Sequence, residues 1–159
     1  MPKFNKIEGD LIQLTLEGKF DVVAHGCNCF CTMGAGIAPQ FANAFGADTF
    51  KLEDPKFKGA INKLGMIDFD FITISSGQRV AIVNAYTQYD FGALGMGKHA
   101  LDYEALALCL KKLNHRFKGL HIGLPMIGCG LGGGKWSIVE KMIYGHMGDC
   151  DVTVVAYNK

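Results

Sequence analysis

No apolar run in this chain approaches the ~20 residues that a membrane-crossing helix needs, and the opening Met1-Pro2-Lys3-Phe4-Asn5-Lys6 holds no apolar stretch of the kind an export signal carries. The expectation is an unexported protein of the cytoplasm, off the membrane. Charge of one sign is equally scarce: 16 Lys and Arg stand against 15 Asp and Glu, and no basic run is longer than Lys111-Lys112. The basic excess of a broad nucleic-acid footprint is missing, so no nucleic-acid partner is expected. Zinc-finger spacing is missing too. Cys27, Cys29 and Cys31 alternate beside His25, but no second ligand pair lies at a suitable distance, and no metal is expected. The other cysteines are Cys109, Cys129 and Cys150; six could form three disulfides, yet without an export signal and with 49% hydrophobic residues to build a core, reduced thiols are expected. No linker, repeat or low-complexity tract divides the 159 residues, which reads as one domain over 1–159 and a monomer.

What is present is glycine, in two clusters. Val22-Val23-Ala24 leads through His25-Gly26-Cys27-Asn28 to Met33-Gly34-Ala35-Gly36-Ile37-Ala38, an apolar strand followed by a polar turn and a glycine-rich helix start. Leu124-Pro125-Met126-Ile127-Gly128-Cys129-Gly130-Leu131-Gly132-Gly133-Gly134-Lys135-Trp136 repeats that grammar. Glycines let backbone approach a ligand closely, and a helix start turns N–H groups and a positive dipole end toward it, which suits an anion. Two such turns in one small domain fit a ligand with more than one phosphate or sugar-phosphate unit. Neither is a strict nucleotide fingerprint: the first lacks G-x-G-x-x-G, and in the second Lys135 is followed by Trp136 rather than Ser or Thr. Turn-making and helix capping are the simpler use of each cluster taken alone.

The hydrophobic pattern predicts strands over 4–7, 20–24, 65–75, 78–85, 120–124 and 152–157, with a hairpin at Ser76-Gly77 joining the third and fourth. Helices are predicted over 37–45, 101–113 and 137–146, with a weaker one over 56–64. The segment 89–98, Tyr89-Asp90-Phe91-Gly92-Ala93-Leu94-Gly95-Met96-Gly97-Lys98, reads as a mobile loop over a site. Alternating strands and helices specify an α/β domain with a mixed sheet layered between helices.

Gly9-Asp10-Leu11 after the first strand, Asn28 ahead of the first glycine cluster, and Pro125-Met126-Ile127-Gly128-Cys129-Gly130-Leu131-Gly132-Gly133 resemble, in that order and over almost the whole chain, the macrodomain family of ADP-ribose-binding modules. The resemblance implies a three-layer α/β/α fold with a central mixed sheet of about six strands, a small-molecule ligand and no cofactor. It implies a site in which Asp10, with Gly9 and the Leu11 N–H beside it, accepts from the adenine amino group, and Asn28 bonds the distal ribose. Gly34, Ala35, Gly36 and Ile37 hold that ribose and a phosphate. Gly128, Cys129, Gly130, Leu131, Gly132 and Gly133 wrap the pyrophosphate, and Tyr157 or Asn158 faces the adenine. Read from the residues alone, Asp10 caps a turn and Asn28 makes an Asx turn, since both are usual in such places.

Within the family, the segment 25–38 is most similar to ADP-ribose 1″-phosphate phosphatases and the related terminal ADP-ribose glycohydrolases. The glycohydrolases' catalytic Asp falls here at Gly132, and their catalytic Lys at Ala85 or Tyr86, which puts their lysine chemistry in doubt. The resemblance therefore implies a phosphatase that converts ADP-ribose 1″-phosphate to ADP-ribose and phosphate. His25 would be its acid or base, because imidazole changes protonation near neutral pH, with Asn28 beside it and Asp90 as an acid or water-orienting group; read from the residues alone, His25 is equally a ring at the end of a buried strand, hydrogen-bonded to backbone. Two alternatives stay open: a reader that binds ADP-ribose without chemistry, and a hydrolase that removes ADP-ribose or acyl groups from conjugates.

Overall fold

Val22, Val23 and Ala24 have no exposed surface at all, which only a strand covered on both faces and flanked on both edges can achieve. In the computed structural model, which describes residues 3–34, 36–90, 101–130 and 132–157, that strand is β2 (Val22–Cys27), held between β4 (Arg79–Tyr86) and β5 (His121–Leu124). The sheet is completed by β1 (Phe4–Gly9), β3 (Ile67–Thr73) and β6 (Asp151–Tyr157), in the order β1-β6-β5-β2-β4-β3. Every pairing is parallel except the β3–β4 hairpin at one edge.

Strand parity sorts the core into two layers. Val22, Ala24, Ala81, Val83, Ile122 and Val154 face α3 (Tyr103–Arg116) and α4 (Trp136–His146), where they meet Leu106, Leu110, Val139 and Ile143. Val23, Val80, Ile82 and Val155 face the other way, onto Leu11 of α1 (Leu11–Leu16) and Phe41 and Phe45 of α2 (Ala38–Phe45). The result is the expected three-layer α/β/α domain. Among the described residues, no helix is long and apolar enough to cross a membrane, no group of His, Cys, Asp and Glu is arranged to hold a metal, and all six cysteines are free.

Several boundaries differ from the sequence expectation, each for a local reason. β2 starts at Val22 and runs on through His25-Gly26-Cys27, because those residues pair with Asn84, Ala85 and Tyr86 of β4. α3 starts two residues late, since the Asp102 carboxylate accepts the Ala105 N–H at 3.0 Å and caps it there. The helix expected over 56–64 is instead two single 3₁₀ turns, Pro55–Phe57 and Ile61–Lys63, separated by Gly59 at φ 76°, which breaks the i to i−4 ladder.

Those short turns carry a buried cation to the end of β2. The Lys63 ammonium, 1% exposed, donates to the Cys29 carbonyl at 3.1 Å and the Cys31 sulfur at 3.4 Å, and it lies 4.9 Å from the centre of the Tyr86 ring. Tyr86 in turn donates its hydroxyl to the Glu53 carboxylate at 2.7 Å, and burial pushes the Glu53 carboxyl above its usual range.

His25 takes the simpler of its two places, a buried ring near the end of β2, although its partner is a side chain and not backbone. It is completely buried, with its side chain on the α2 side of the sheet, where the ring stacks on Phe41 at 4.0 Å between centroids. Its Nε2 lies 2.7 Å from Asn84 Oδ1, and the Asn84 amide is oriented by its own donation to the Ala47 carbonyl at 2.9 Å, so Nε2 is the protonated nitrogen. Burial lowers its pKa from 6.5 to about 4 despite the Asn84 bond. Between those values the unfolded chain binds a proton that the folded chain refuses. Stability should therefore fall by up to about 3 kcal/mol as pH drops from about 6.5 to about 4. Urea midpoints measured across that range should show the decline, and a His25→Gln variant should show a shallower one; equal slopes would mean that His25 is not the proton acceptor.

Candidate functional site

Because β1, β2, β4, β5 and β6 run parallel, their carboxyl ends meet at one edge of the sheet, the place where open α/β sheets bind ligands. A cavity of about 370 Å³ lies there. Its wall is contributed by Gly9, Asp10 and Leu11 at the β1–α1 junction, Gly26 on β2, and Gly36, Ile37, Ala38 and Gln40 at the start of α2. Thr87 and Gln88 beyond β4, residues 125–130 and Gly132 beyond β5, and Val155 and Tyr157 on β6 complete it.

Asp10 both lines the cavity and caps α1, its Oδ1 accepting the Gln13 N–H at 3.1 Å. The simpler and the ligand-directed readings of this residue are thus compatible, since a carboxylate has a second oxygen. Tyr157, 66% exposed, stands on the rim. Gly36, at φ 69°, and Ile37 are in the wall, whereas Gly34 is exposed and outside it; Ala35, Leu131 and Asn158 lie outside the described residues, as do positions 91–98 of the glycine-rich segment.

The second glycine turn is folded on itself and then pinned from outside. The N–H groups of Cys129, Gly133 and Gly134 donate within the turn, to Met126, Gly130 and Gly128 carbonyls at 3.0, 3.1 and 2.7 Å. Those donors are spent, and Gly133 is not in the wall, which corrects the expectation that every N–H from 128 to 133 faces the ligand. Among the described residues, the N–H groups of Gly128, Gly130 and Gly132 make no such bond. Leu101 wedges against the turn: it donates its N–H to the Gly132 carbonyl at 3.0 Å, and its side chain would lie 2.7 Å from a Cβ at Gly128 and would clash with one at Gly134. Gly128 also has φ 75°, so no other residue fits without strain. A Cβ at Gly130, by contrast, would meet nothing within 4 Å.

The three expected catalytic groups are not brought together. His25 faces α2 and not the cavity. Asn28 closes an Asx turn, its Oδ1 accepting the Phe30 N–H at 2.8 Å and its Nδ2 donating to the Thr32 carbonyl at 3.0 Å, so its amide is committed to the loop. Asp90 is outside the wall, and its carbonyl accepts from Gln88 Nε2 at 2.8 Å. Among the described residues, the titratable groups in the wall are Asp10, Cys129 and Tyr157, and burial raises the Cys129 pKa, which keeps it a thiol.

Sequence reasoning missed Gly26, Gln40, Thr87 and Gln88. The Thr87 hydroxyl is the buried side-chain polar atom without a hydrogen-bond partner among the described residues, and it would lie 2.8 Å from a Cβ at Gly26. Gly26 is therefore needed for space. The signal that could have found Thr87 and Gln88 is their position just past β4, a strand whose residues from Val80 to Tyr86 are all buried.

No family model matches the chain. An uncharacterized 17.5 kDa protein from the tk-vs intergenic region of Enterobacteria phage T4 is 32% identical to it over 157 residues, covering 94% of this chain and 93% of that protein. Among solved structures, the macrodomain of Thermus aquaticus DarG superimposes with a TM-score of 0.69 at 22% identity, over 100% of both chains. Thermosipho africanus DarTG, solved in complex with ADP-ribose, gives a TM-score of 0.67 at 17% identity over 96% of this chain and 41% of that one. The fold is thus that of the macrodomains, and by its sequence the chain belongs to the family of the phage T4 17.5 kDa protein.

Proposed function

We propose that this chain binds ADP-ribose or a derivative of it, with adenine between Asp10 and Tyr157, the pyrophosphate between the start of α2 and the turn at 128–132, and the distal ribose toward Gly36. The observation that carries this reading is the single wall that Asp10, Gly36 and the second glycine turn share at the carboxyl edge of the sheet. The ADP-ribose bound to the Thermosipho structure agrees with it.

Among the described residues that line the cavity, Asp10, Cys129 and Tyr157 are the groups that can exchange a proton, with no imidazole, lysine or second carboxylate beside them. The phosphatase reading is nevertheless favoured over glycohydrolysis by one observation. Gly132 and the buried Ala85 and Tyr86 supply neither the aspartate nor the lysine of the glycohydrolase route, whereas a phosphate monoester needs chiefly positioning and backbone donors, which Gly128, Gly130 and Gly132 offer. Incubation with ADP-ribose 1″-phosphate, with phosphate release measured beside calorimetric titration of ADP-ribose, separates the two. Turnover identifies the phosphatase; tight binding alone identifies the reader; neither would remove ADP-ribose from this site.

Asp10→Asn keeps an oxygen for the Gln13 cap but places an amide where adenine presents its own donor. It should weaken ADP-ribose by about 1–3 kcal/mol with little change in melting temperature. Calorimetry and thermal denaturation of the one variant check both halves, and unchanged affinity would leave Asp10 as a cap only. Gly130→Glu should fold, because its Cβ enters open space, yet abolish binding by filling the cavity and repelling phosphate. Normal titration of a folded Gly130→Glu protein would exclude the second glycine turn from the ligand site.

A further inference from the structure

On the opposite side of α3 from its core face, the chain leaves a groove of about 500 Å³ between that helix and the edge strand β3. Its floor is Ile67, Phe69 and Leu108, the last 47% exposed, and its rim is Lys111, Lys112, His115 and Arg116. No acidic residue lines it, although the chain as a whole is close to neutral. We propose that this groove is a docking site for an acidic peptide segment of a partner protein, which seats an apolar side chain on Ile67, Phe69 and Leu108 and lays its carboxylates along the rim.

Three observations select that occupant. The rim is of one sign, so complementary charge both draws the partner in and sets its orientation. A second copy of the chain would oppose like charge to like charge. Stacked nucleobases are disfavoured because Phe69, the phenyl ring among the described residues of the groove, already has the Arg116 guanidinium 5.0 Å from its centre. The groove is also held open in a fixed shape. Lys112 is tied by its ammonium to the Gly65 carbonyl at 2.7 Å, and the Leu108 side chain folds over Gly65, where it would lie 2.9 Å from a Cβ. Among the described residues, β3 is the last strand at this edge of the sheet.

The test uses the whole protein labelled with ¹⁵N and three probes: a short Glu-rich peptide carrying two Leu, the same peptide with Lys for Glu, and oligothymidylate. The Glu peptide should move the amide signals of Ile67, Phe69 and Leu108, and its affinity should fall about tenfold between 50 and 300 mM salt, as contacts to an exposed cationic rim do. Lys111→Glu combined with Arg116→Glu changes two exposed positions and should lose the Glu peptide while gaining the Lys peptide. Equal binding of the Glu and Lys peptides, or none, would overturn the proposal. So would tighter binding of oligothymidylate, or a concentration-dependent dimer that the double variant abolishes.

Discussion

Everything that makes a site in this molecule depends on the parallel pairing of β2 with both β4 and β5. Parallel neighbours need long crossovers, and the crossovers place helices on both faces, which is why β2 is covered along nearly its whole length. The same direction of travel delivers five chain ends to one edge of the sheet. Backbone there has left the ladder and its N–H groups are available, so the edge is intrinsically polar although the strands beneath it are not. The cavity follows from topology before any particular side chain is considered.

The end of β2 shows what it costs to shape that edge. Lys63 loses nearly all its water and in return holds the Cys29 carbonyl, the Cys31 sulfur and the Tyr86 ring. Cys31 there takes φ 58°, a left-handed backbone that a non-glycine residue adopts only when its surroundings insist. A buried cation contributes little net stability, because desolvation offsets its contacts, but its loss leaves several groups unmatched at once. Its effect is to give the loop one shape.

How much of this could be read from the chain depended on whether the signal was local. The two glycine turns, the capping Asp at position 10 and the alternation of strands and helices are local patterns, and each is found where the residues imply. His25 is the opposite case. Its neighbours resemble a polar turn, but three more ladder pairs keep it in the strand, and strand parity then decides that it faces Phe41 rather than the cavity. Asn28 was legible as an Asx turn from its own chemistry, and that use won because its partners, Phe30 and Thr32, are already within reach. Thr87 and Gln88 carry no motif. Only the sheet order brings them beside Gly26 and the second glycine turn.

The wedge formed by Leu101 has a consequence for how tightly any ligand can be held. A turn with five glycines between 128 and 134 is one of the most conformationally free sequences a protein can contain, and to freeze it on ligand arrival would cancel much of the gain from its hydrogen bonds. Here the Leu101 side chain, two residues ahead of α3, fills the space above Gly128 and Gly134, so the turn is ordered when the chain folds. Leu101 and the glycines it touches therefore act as one unit of volume: a larger residue in the turn, or a smaller one at position 101, alters binding without touching ligand.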